Sequence, residues 1–406
     1  MAKNTHLEHL EDDILNNGTE GGKNAIIFLR ELGKMLTEPK SSIRVTTKWD
    51  GAPAVICGTD PENGEFFVGT KSVFAKTNPK KMYTMKQVDE NYSGQLADKL
   101  KDCLKYLPKL GIKSVLQGDL LFTNDKKVAS IGGDRMISFQ PNTIVYAVPE
   151  KSELGKQIAR AKLGIVFHTE YNGSTTAEMN ASFGVNITNL NKSSDVYVAT
   201  ATFSDASGEA VFTQAELQKY TAAVNKAEGS LKQASKFLNI LGETGQGKFL
   251  LSTLFKQFFN TYIRQGKSIP NVNRVIQEFS GYYRTLLQKE IDSKKTSTAK
   301  NKYVKIQEDG LKFIESNKRD IYFTIASYSN LQSAKGIVIK KLEKVKTLGT
   351  FLRTESGYKV TAPEGFVAIR SGKALKLVDR LEFSRANFTA TKDWDKTPPG
   401  YKGVEK

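Results

Sequence analysis

Apolar residues recur with two different spacings along this chain of 406 residues, and the spacing changes twice. Up to about residue 206, many apolar runs are short and rich in β-branched residues, a pattern typical of strands. Between residues 214 and 344 the apolar positions fall three or four residues apart, which predicts consecutive helices. Beyond residue 346 short strand-like runs return. The pattern predicts an α+β fold in which a helical block interrupts the sheet-forming regions.

The predicted elements divide the chain into an interrupted mixed domain and an insertion. Two helices are predicted within residues 7–37, with a break at Gly21 and Gly22, and further helices at residues 92–107 and 152–163. The strands predicted before the block cover residues 43–47, 54–57, 66–69, 114–122, 143–148, 164–168 and 196–202. Those predicted after it cover residues 350–354, 357–361, 365–369 and 373–378. We therefore expect a first domain part at 1–206, a helical insertion at 207–346, a second part at 347–390 and a polar tail at 391–406.

Composition narrows the class of protein. A hydrophobic content of 39% and an aromatic content of 10% indicate a folded, soluble chain long enough for two domains. No apolar run approaches the roughly 18 residues of a membrane-spanning helix, and the polar N-terminus does not resemble a secretory signal. Cys57 and Cys103 fit reduced thiols better than a disulfide framework, so we expect a cytoplasmic protein. His6, His9 and His168 provide no zinc-binding constellation.

Positive charge is concentrated in the helical block. The chain carries a net charge of +17, and residues 214–344 contain 23 Lys and Arg against 11 Asp and Glu. Such an excess favours a polyanionic partner, with nucleic acid preferred over a membrane surface because no amphipathic anchor is evident. The alternative is a basic surface that serves only solubility.

A glycine-rich segment inside the block resembles a phosphate-binding P-loop. It runs from Gly242 to Lys248, but Phe249 follows where the metal-binding Ser or Thr of a P-loop belongs. The segment also follows a predicted helix instead of a buried strand. A glycine C-cap and turn between two helices explains it better.

The turn around Lys48 carries the strongest chemical signal. Lys48 precedes Asp50-Gly51, a turn signal between two β-prone runs, and Pro53 fixes the exit of the turn. A lysine in such a strand-lined pocket can become a nucleophile if burial or neighbouring cations lower its pKa. An ordinary hairpin with an exposed lysine is the alternative.

Lys48-Trp49-Asp50-Gly51 resembles the Lys-x-Asp-Gly motif of the covalent nucleotidyltransferases, which include DNA ligases, RNA ligases and mRNA capping enzymes. The resemblance implies an adenylation domain of antiparallel sheets with flanking helices. It also implies that Lys48 accepts a nucleotidyl group from ATP, with Asp50 and Gly51 completing the motif.

Later residues match further motifs of that family in order. The resemblance assigns Lys71 to phosphate positioning, where RNA-ligase-like families usually have arginine. It assigns Asp119 to the nucleotide ribose, where the family commonly has glutamate, and a carboxylate among apolar neighbours is costly to bury without a partner. Tyr146 and Phe167 are the candidates for an aromatic residue over the base. Either aromatic residue is also compatible with a role in the core.

The last matches lie beyond the helical block. Glu364-Gly365 followed by an apolar strand resembles the family's Glu-Gly motif, so Glu364, together with Asp119, is expected near Mg²⁺. Lys373 and Lys376 resemble the closing lysines that reach the α-phosphate. The period of two along a strand sends these lysines to opposite faces, and we expect Lys376, between two leucines, to point inward.

About thirty residues follow Lys376, fewer than the OB-fold domain of DNA ligases and capping enzymes needs. The resemblance is therefore closest to the phage-type RNA-ligase branch. It implies an ATP-dependent ligase that joins 5′-phosphate and 3′-hydroxyl ends of RNA, or possibly of DNA, through a lysyl-AMP intermediate. ATP and Mg²⁺ are the expected cofactors, and the helical block is expected to bind nucleic acid. The alternatives are a guanylyltransferase that caps RNA and a degenerate nucleotidyltransferase that only binds nucleic acid.

Overall fold

The structure is a computed structural model of the chain. It describes residues 7–37, 43–75, 77–131, 133–202, 210–245, 247–269, 272–345, 349–354, 357–360 and 364–381. The predicted domain boundaries near residues 206 and 346 and the predicted tail at 391–406 lie outside these ranges. Within them the chain has the predicted α+β character, with three β-sheets and nine α-helices.

The secondary structure follows the two spacings seen in the sequence. The strands are β1 (Arg44–Lys48), β2 (Ala54–Thr59), β3 (Phe66–Gly69), β4 (Val115–Phe122), β5 (Lys127–Ile131), β6 (Asp134–Phe139), β7 (Val145–Pro149), β8 (Leu163–Asn172), β9 (Asn180–Phe183), β10 (Val196–Ala199), β11 (Gly349–Thr354), β12 (Gly357–Val360), β13 (Gly365–Arg370) and β14 (Lys373–Leu377). The helices are α1 (Asp13–Met35), α2 (Met85–Asn91), α3 (Gly94–Tyr106), α4 (Glu153–Arg160), α5 (Gln214–Leu241), α6 (Leu251–Arg264), α7 (Val272–Asp292), α8 (Ser297–Ser316) and α9 (Lys318–Leu342).

Strands from both sides of the helical block combine into common sheets. One sheet has the order β1-β13-β14, and a second has the order β12-β11-β7-β6-β5. The third has the order β10-β8-β4-β2-β3, with β9 paired to β8. All these pairings are antiparallel except β10 with β8. The chain therefore returns after the block to complete sheets that were begun before it.

The three-stranded sheet has one face toward helices and one toward a cavity. Phe366 and Leu375 point to the back, where they join the core of the helices. Thr46, Val367 and Lys376 lie on the front and line the cavity. This alternation is what the period of two along a strand requires.

The helical insertion shares its core with the first part of the chain. Helix α1 packs against α5, and α5 packs against α9. One continuous apolar core contains α1, helices from α5 to α9, and the back of the three-stranded sheet. Packing these helices against α1 and against the back of the sheet removes apolar surface from water. The insertion is thus part of the main body of the fold.

A buried charge cluster joins these layers. Lys335 on α9 donates to both carboxylate oxygens of Glu11, at 2.8 and 2.7 Å. Arg380, just beyond β14, donates to the Asp12 carboxylate at 2.9 Å, and the Tyr328 hydroxyl donates to the same oxygen at 2.7 Å. All five side chains are buried. The cluster ties α9 and the end of β14 to the segment that precedes α1.

The other two sheets pack against helices and share one core with each other. One face of the six-stranded sheet packs on α3, where Leu116 and Phe167 meet Leu100. The five-stranded sheet packs with α4 and with Trp49. The six-stranded sheet contributes Leu121 and Phe122 to that same core, and Gln117 and Asp119 of this sheet lie on the opposite wall of the cavity.

Most predicted elements are confirmed within one to three residues at one or both ends, although strand β8 extends further than predicted. Strands β5, β6 and β9 and helix α2 were not predicted. The break predicted at Gly21 and Gly22 is wrong, because the helix there is continuous and its irregular backbone lies at Asn17 and Gly18. A Cβ atom on Gly21 would lie 1.9 Å from the Asp13 carbonyl oxygen, so this glycine allows close packing.

Candidate functional site

A cavity of about 450 Å³ lies between the front of the three-stranded sheet and the six-stranded sheet. This volume is within the usual range of roughly 300–1,000 Å³ for small-molecule sites. The polar and aromatic residues that line it include Thr46, Thr47, Lys48, Trp49, Thr70, Lys71, Gln117, Asp119, His168, Thr169, Tyr171, Phe183 and Lys376. Lysines from three different segments converge there with one carboxylate.

Lys48 lies at the end of β1 and forms an ion pair with Glu364 at the wall of the cavity. Lys48 pairs with Gly365 of β13, so the strand register brings the preceding Glu364 to the lysine. The Lys48 Nζ atom donates to the Glu364 carboxylate at 2.5 Å. The Glu364 side chain is 7% exposed and that of Lys48 is 23% exposed. A charge this deeply buried is stable only with such a partner.

The carboxylates around Lys48 control its charge. Burial opposes the charged amine, but Glu364, Asp119 and Asp50 outweigh burial and raise the pKa of Lys48. Burial raises the pKa of Glu364 to about 7, with the negative charges of Asp50 and Asp119 adding to the effect and Lys48 opposing it. The expected depression of the Lys48 pKa is therefore absent, and the neighbouring carboxylates favour the protonated amine.

Lys376 and Lys373 lie on opposite faces of β14, as the period of two predicts. Lys376 lines the cavity, and its pKa is lowered by burial and by the charge of Lys48. Lys373 is exposed at the tip of the β13–β14 hairpin and does not line the cavity, so the predicted contact between Lys373 and the nucleotide is not supported. The backbone N–H of Lys376 also donates to the Glu8 carbonyl at 2.9 Å, which fixes this edge of the sheet.

Asp50 faces away from the cavity and holds a neighbouring loop. Its carboxylate accepts hydrogen bonds from the Asn142 side chain and from the backbone N–H groups of Thr143 and Ile144, at 2.7, 2.7 and 2.8 Å. A carboxylate with three donors is well satisfied despite its burial. The geometry gives Asp50 a positioning role beside Lys48 instead of contact with a ligand.

Gly51 brings the turn close to β4. A Cβ atom at this position would lie 2.6 Å from the Asp119 Cβ atom and 2.9 Å from the Leu120 carbonyl oxygen. The next residue, Ala52, donates its backbone N–H to the Leu120 oxygen at 2.8 Å. Glycine therefore permits the approach that places Lys48 and Asp119 in one site.

Asp119 and Lys71 line the cavity at the predicted positions. Asp119 lies on β4 opposite Ala54, and its carboxylate points to the His168 ring at 3.6 Å. Lys71 begins a short 3₁₀ turn directly after β3 and is exposed at the mouth. The site therefore carries cations on two walls and the Asp119 carboxylate between them.

Neither predicted base-stacking residue reaches the cavity. Tyr146 is buried beneath Trp49, with ring centroids 4.9 Å apart, and its hydroxyl accepts the Asp50 backbone N–H at 2.7 Å. Phe167 points to the other face of its sheet, into the core around α3. The aromatic rings that do line the cavity belong to Trp49, Tyr171 and Phe183.

Several lining residues had no signal in the sequence. Gln117 accepts a hydrogen bond from the Tyr171 hydroxyl at 2.7 Å, and both line the cavity. His168 and Thr169 are adjacent in β8, yet both line the cavity, because the register shifts between β4 and β8 at this point. A bulge depends on the pairing of two strands, so hydrophobic spacing along one strand does not reveal it.

The donor set of the site suits a magnesium ion bound together with phosphate. Among the described residues, no group of three or more His, Cys, Asp and Glu side chains is placed to hold a metal ion. Mg²⁺ needs fewer protein ligands, since it is usually held by one or two carboxylates, substrate phosphates and water. Asp119, which lines the cavity, and Glu364, which contacts Lys48, are the two carboxylates to which the resemblance assigns the ion, and that role stays a prediction.

The P-loop-like segment is a helix connection, as predicted. It lies between α5 and α6, and its residue 246 falls outside the described residues. The Lys248 ammonium pairs with Glu290 at 2.6 Å and lies over the Phe249 ring. The Lys248 side chain therefore makes its contacts within the helical block.

Residues 4–392 match the family described as a family of unknown function, DUF6267, and the chain belongs to this family. No curated protein and no solved structure matches the chain. In the described part of the structure, every helix is too short or too polar to cross a membrane.

Proposed function

We propose that the chain is a covalent nucleotidyltransferase with the fold of a ligase adenylation domain, and that it joins polynucleotide ends with ATP. One observation carries the proposal. Lys48, Asp119 and Lys376, each singled out by a separate motif, line one cavity although they come from distant parts of the chain, and Glu364, from a fourth motif, pairs with Lys48. The cavity also has the volume and the cationic walls that a nucleoside triphosphate needs.

In the proposed first step, Lys48 attacks the α-phosphorus of ATP. The protonated amine must first lose a proton, and the Glu364 carboxylate, at 2.5 Å, is the base in contact with it. A bond then forms between Nζ and the α-phosphorus, and the bond from that phosphorus to the bridging oxygen breaks. Pyrophosphate leaves, the amine releases a second proton, and AMP remains on Lys48 as a phosphoramidate.

The chain's own cations would stabilise the charge on the phosphate oxygens. Lys376 and Lys71 lie on different walls of the cavity, so they can contact different phosphates. Mg²⁺, held by Asp119 and Glu364 when bound, would withdraw charge from the phosphates. Asp50 keeps the nucleophile's turn in place through residues 142–144.

In the later steps AMP passes to a 5′-phosphate end, and a 3′-hydroxyl displaces it. The connection between α7 and α8 supports nucleic acid as the substrate. The exposed cations there that form no ion pair with another described residue are Lys295 in the connection, Arg284 and Lys289 in the last turns of α7, and Lys300 and Lys302 in the first turns of α8. Phosphate contacts by such residues produce binding that weakens steeply with salt.

Labelling with α-³²P-ATP and Mg²⁺ tests the first step. We expect label on the denatured protein that is lost in Lys48→Ala and retained in Lys373→Ala, a matched lysine on the exposed end of β14. Label from GTP and not from ATP would change the assignment to a capping guanylyltransferase. If neither nucleotide labelled the protein, the proposed enzymatic activity would be contradicted.

The raised pKa of Lys48 favours one alternative, a degenerate nucleotidyltransferase that binds nucleic acid without chemistry. Fluorescence anisotropy with single-stranded RNA and DNA of the same sequence measures that binding. We expect the triple variant Lys295→Glu, Lys300→Glu, Lys302→Glu to bind more weakly and with a smaller salt dependence. Lys86→Glu, on α2, is the control. Nucleic-acid binding without label would support the alternative.

A further inference from the structure

A β-bulge in β8 directs a histidine at the carboxylate of the site. Gln117 pairs with Thr169, but the next residue of β4, Gly118, pairs with Phe167. His168 is therefore the extra residue of the bulge, and it has no partner in the register. In a strand without the bulge, residues 166 and 168 would face one side of the sheet, and residues 167 and 169 would face the other. With it, His168 and Thr169 both face the cavity.

The two ring nitrogens of His168 have different neighbours. Nδ1 lies 2.8 Å from the Thr169 hydroxyl, a hydrogen-bond distance. Nε2 lies 3.6 Å from the Asp119 Oδ2 atom, which is longer than a hydrogen bond. A Thr169 hydroxyl that donates to Nδ1 leaves the ring proton on Nε2, where it faces the carboxylate. The imidazole then offers a donor beside an acceptor, with both partly open to the cavity.

The resemblance to nucleotidyltransferases already implies that Asp119 contacts the ribose. We propose that His168 supplies a second contact to the ribose hydroxyls beside Asp119, and that His168 determines specificity for ribonucleotides. The inference rests on the proposed nucleotide site. A hydroxyl at the gap between Nε2 and Oδ2 can accept from the imidazole and donate to the carboxylate at the same time. The vicinal diol of ribose supplies such hydroxyls, and a 2′-deoxyribose lacks one of them.

Discrimination follows because a 2′-deoxyribose lacks the hydroxyl that would hydrogen-bond to the imidazole and the carboxylate. One hydrogen bond to a charged group corresponds to about a tenfold change in affinity or more. The positions of the other groups agree with this orientation, since Lys48 and Lys376 lie on the opposite wall, where the phosphates belong.

Calorimetry with nucleotides that cannot transfer AMP tests the inference. The probes are the α,β-methylene analogues of ATP and of 2′-deoxy-ATP with Mg²⁺, titrated into the whole chain. We expect the wild type to bind the ribonucleotide about tenfold more tightly or better. His168→Leu is expected to bring the two affinities to within about twofold, and Thr169→Val, which removes the partner of Nδ1, to reduce the ratio without removing the ring.

The affinity ratio separates a specific role from a structural one. A substitution of His168 that only loosened the fold would weaken the binding of both nucleotides equally. An unchanged affinity ratio in His168→Leu would therefore overturn the inference. The inference would also be overturned if the wild-type protein bound both analogues equally well, or if it bound neither of them. Lys373→Ala, which is remote from the cavity, should keep the wild-type ratio. A ribose preference that His168 controls, in a protein that takes no label from ATP, would uphold this inference and reject the proposed function.

Discussion

Lys48 and Glu364 stand 316 positions apart in the chain, and their side chains form a 2.5 Å ion pair. The pair exists because β1 and β13 are neighbours, with Lys48 opposite Gly365. It keeps the amine charged and, at the same time, places a carboxyl group with a pKa of about 7 against it. The pair therefore favours the protonated amine and places beside it a carboxyl group that can exchange a proton with it.

Removing the Glu364 charge should make Lys48 easier to deprotonate. Burial lowers the pKa of Lys48, whereas Glu364, Asp119 and Asp50 raise it. In Glu364→Gln the largest raising charge is gone, so the amine should titrate at lower pH than in the wild type. Competitive acetylation across a pH series, read by mass spectrometry of the Lys48 peptide, measures this with exposed Lys373 as the internal reference. An unchanged Lys48 titration would contradict the ion pair.

Glu364 should also make stability fall as pH rises. Its folded pKa of about 7 lies above the ordinary 4.5, so the folded state holds a proton that the unfolded state has released. This contribution is complete below pH 4.5 and is lost as pH rises through 7, by up to about 3 kcal/mol. Urea unfolding in metal-free buffer between pH 4.5 and 8 should show a steeper decline in the wild type than in Glu364→Gln. If the free energy of unfolding declined equally with pH in both proteins, the raised pKa of Glu364 would be contradicted.

The two lysines of β14 should differ in their effect on nucleotide binding. Lys376 lines the cavity, whereas Lys373 is exposed at the hairpin tip. We expect Lys376→Ala to weaken ATP binding by about 10–100-fold, the range for a hydrogen bond to a charged group. Lys373→Ala should bind as the wild type does. Equal effects of both substitutions in calorimetry would argue for general electrostatic attraction instead of a specific contact.

Asp50 should matter for stability. Asp50→Ala leaves the N–H groups of Thr143 and Ile144 without their acceptor. Each lost partner costs about 1–3 kcal/mol when the group is buried, so we expect a loss of about 3 kcal/mol in urea unfolding. Asp98→Ala, at an exposed position on α3, is the control. A stable Asp50→Ala variant with lost ATP labelling would show instead that the carboxylate acts in the chemistry.

The buried Glu11–Lys335 pair should be sensitive to loss of one partner. Lys335→Met leaves the Glu11 carboxylate buried without the two hydrogen bonds that Lys335 donates. We expect a loss of about 3–5 kcal/mol in the free energy of unfolding. Lys340→Met, at an exposed position of the same helix, should change it little. The double variant Glu11→Gln, Lys335→Met should recover part of the loss, and failure to do so would show that packing dominates.

Periodicity and short motifs predicted the parts of the site that depend on local rules. The inward direction of Lys376 follows from the period of two, and the structure places it on the cavity face. Lys48, Asp119 and Glu364 were predicted from their motifs, and strand pairing brings them together. The nucleotidyltransferase fold and its chemistry remain predictions.

The parts that failed depend on pairing between distant strands. Tyr146 and Phe167 sit in strands that were predicted correctly, but their faces are set by neighbouring sheets. The role of Asp50 depends on residues 142–144, which the turn motif does not mention. His168 reaches the cavity only through a bulge, and a bulge needs knowledge of the partner strand.

The pairing of β1 with β13 determines when the site can form during synthesis of the chain. Strand β1 leaves the ribosome with Lys48, but the strand that pairs with it comes more than 300 residues later. At about 5–20 residues per second, Lys48 waits on the order of 15–60 s for Glu364 to be made. During synthesis the first part of the chain carries the lysine on an unfinished sheet. The Lys48–Glu364 ion pair therefore forms only after the helices and β13 have been translated and have folded.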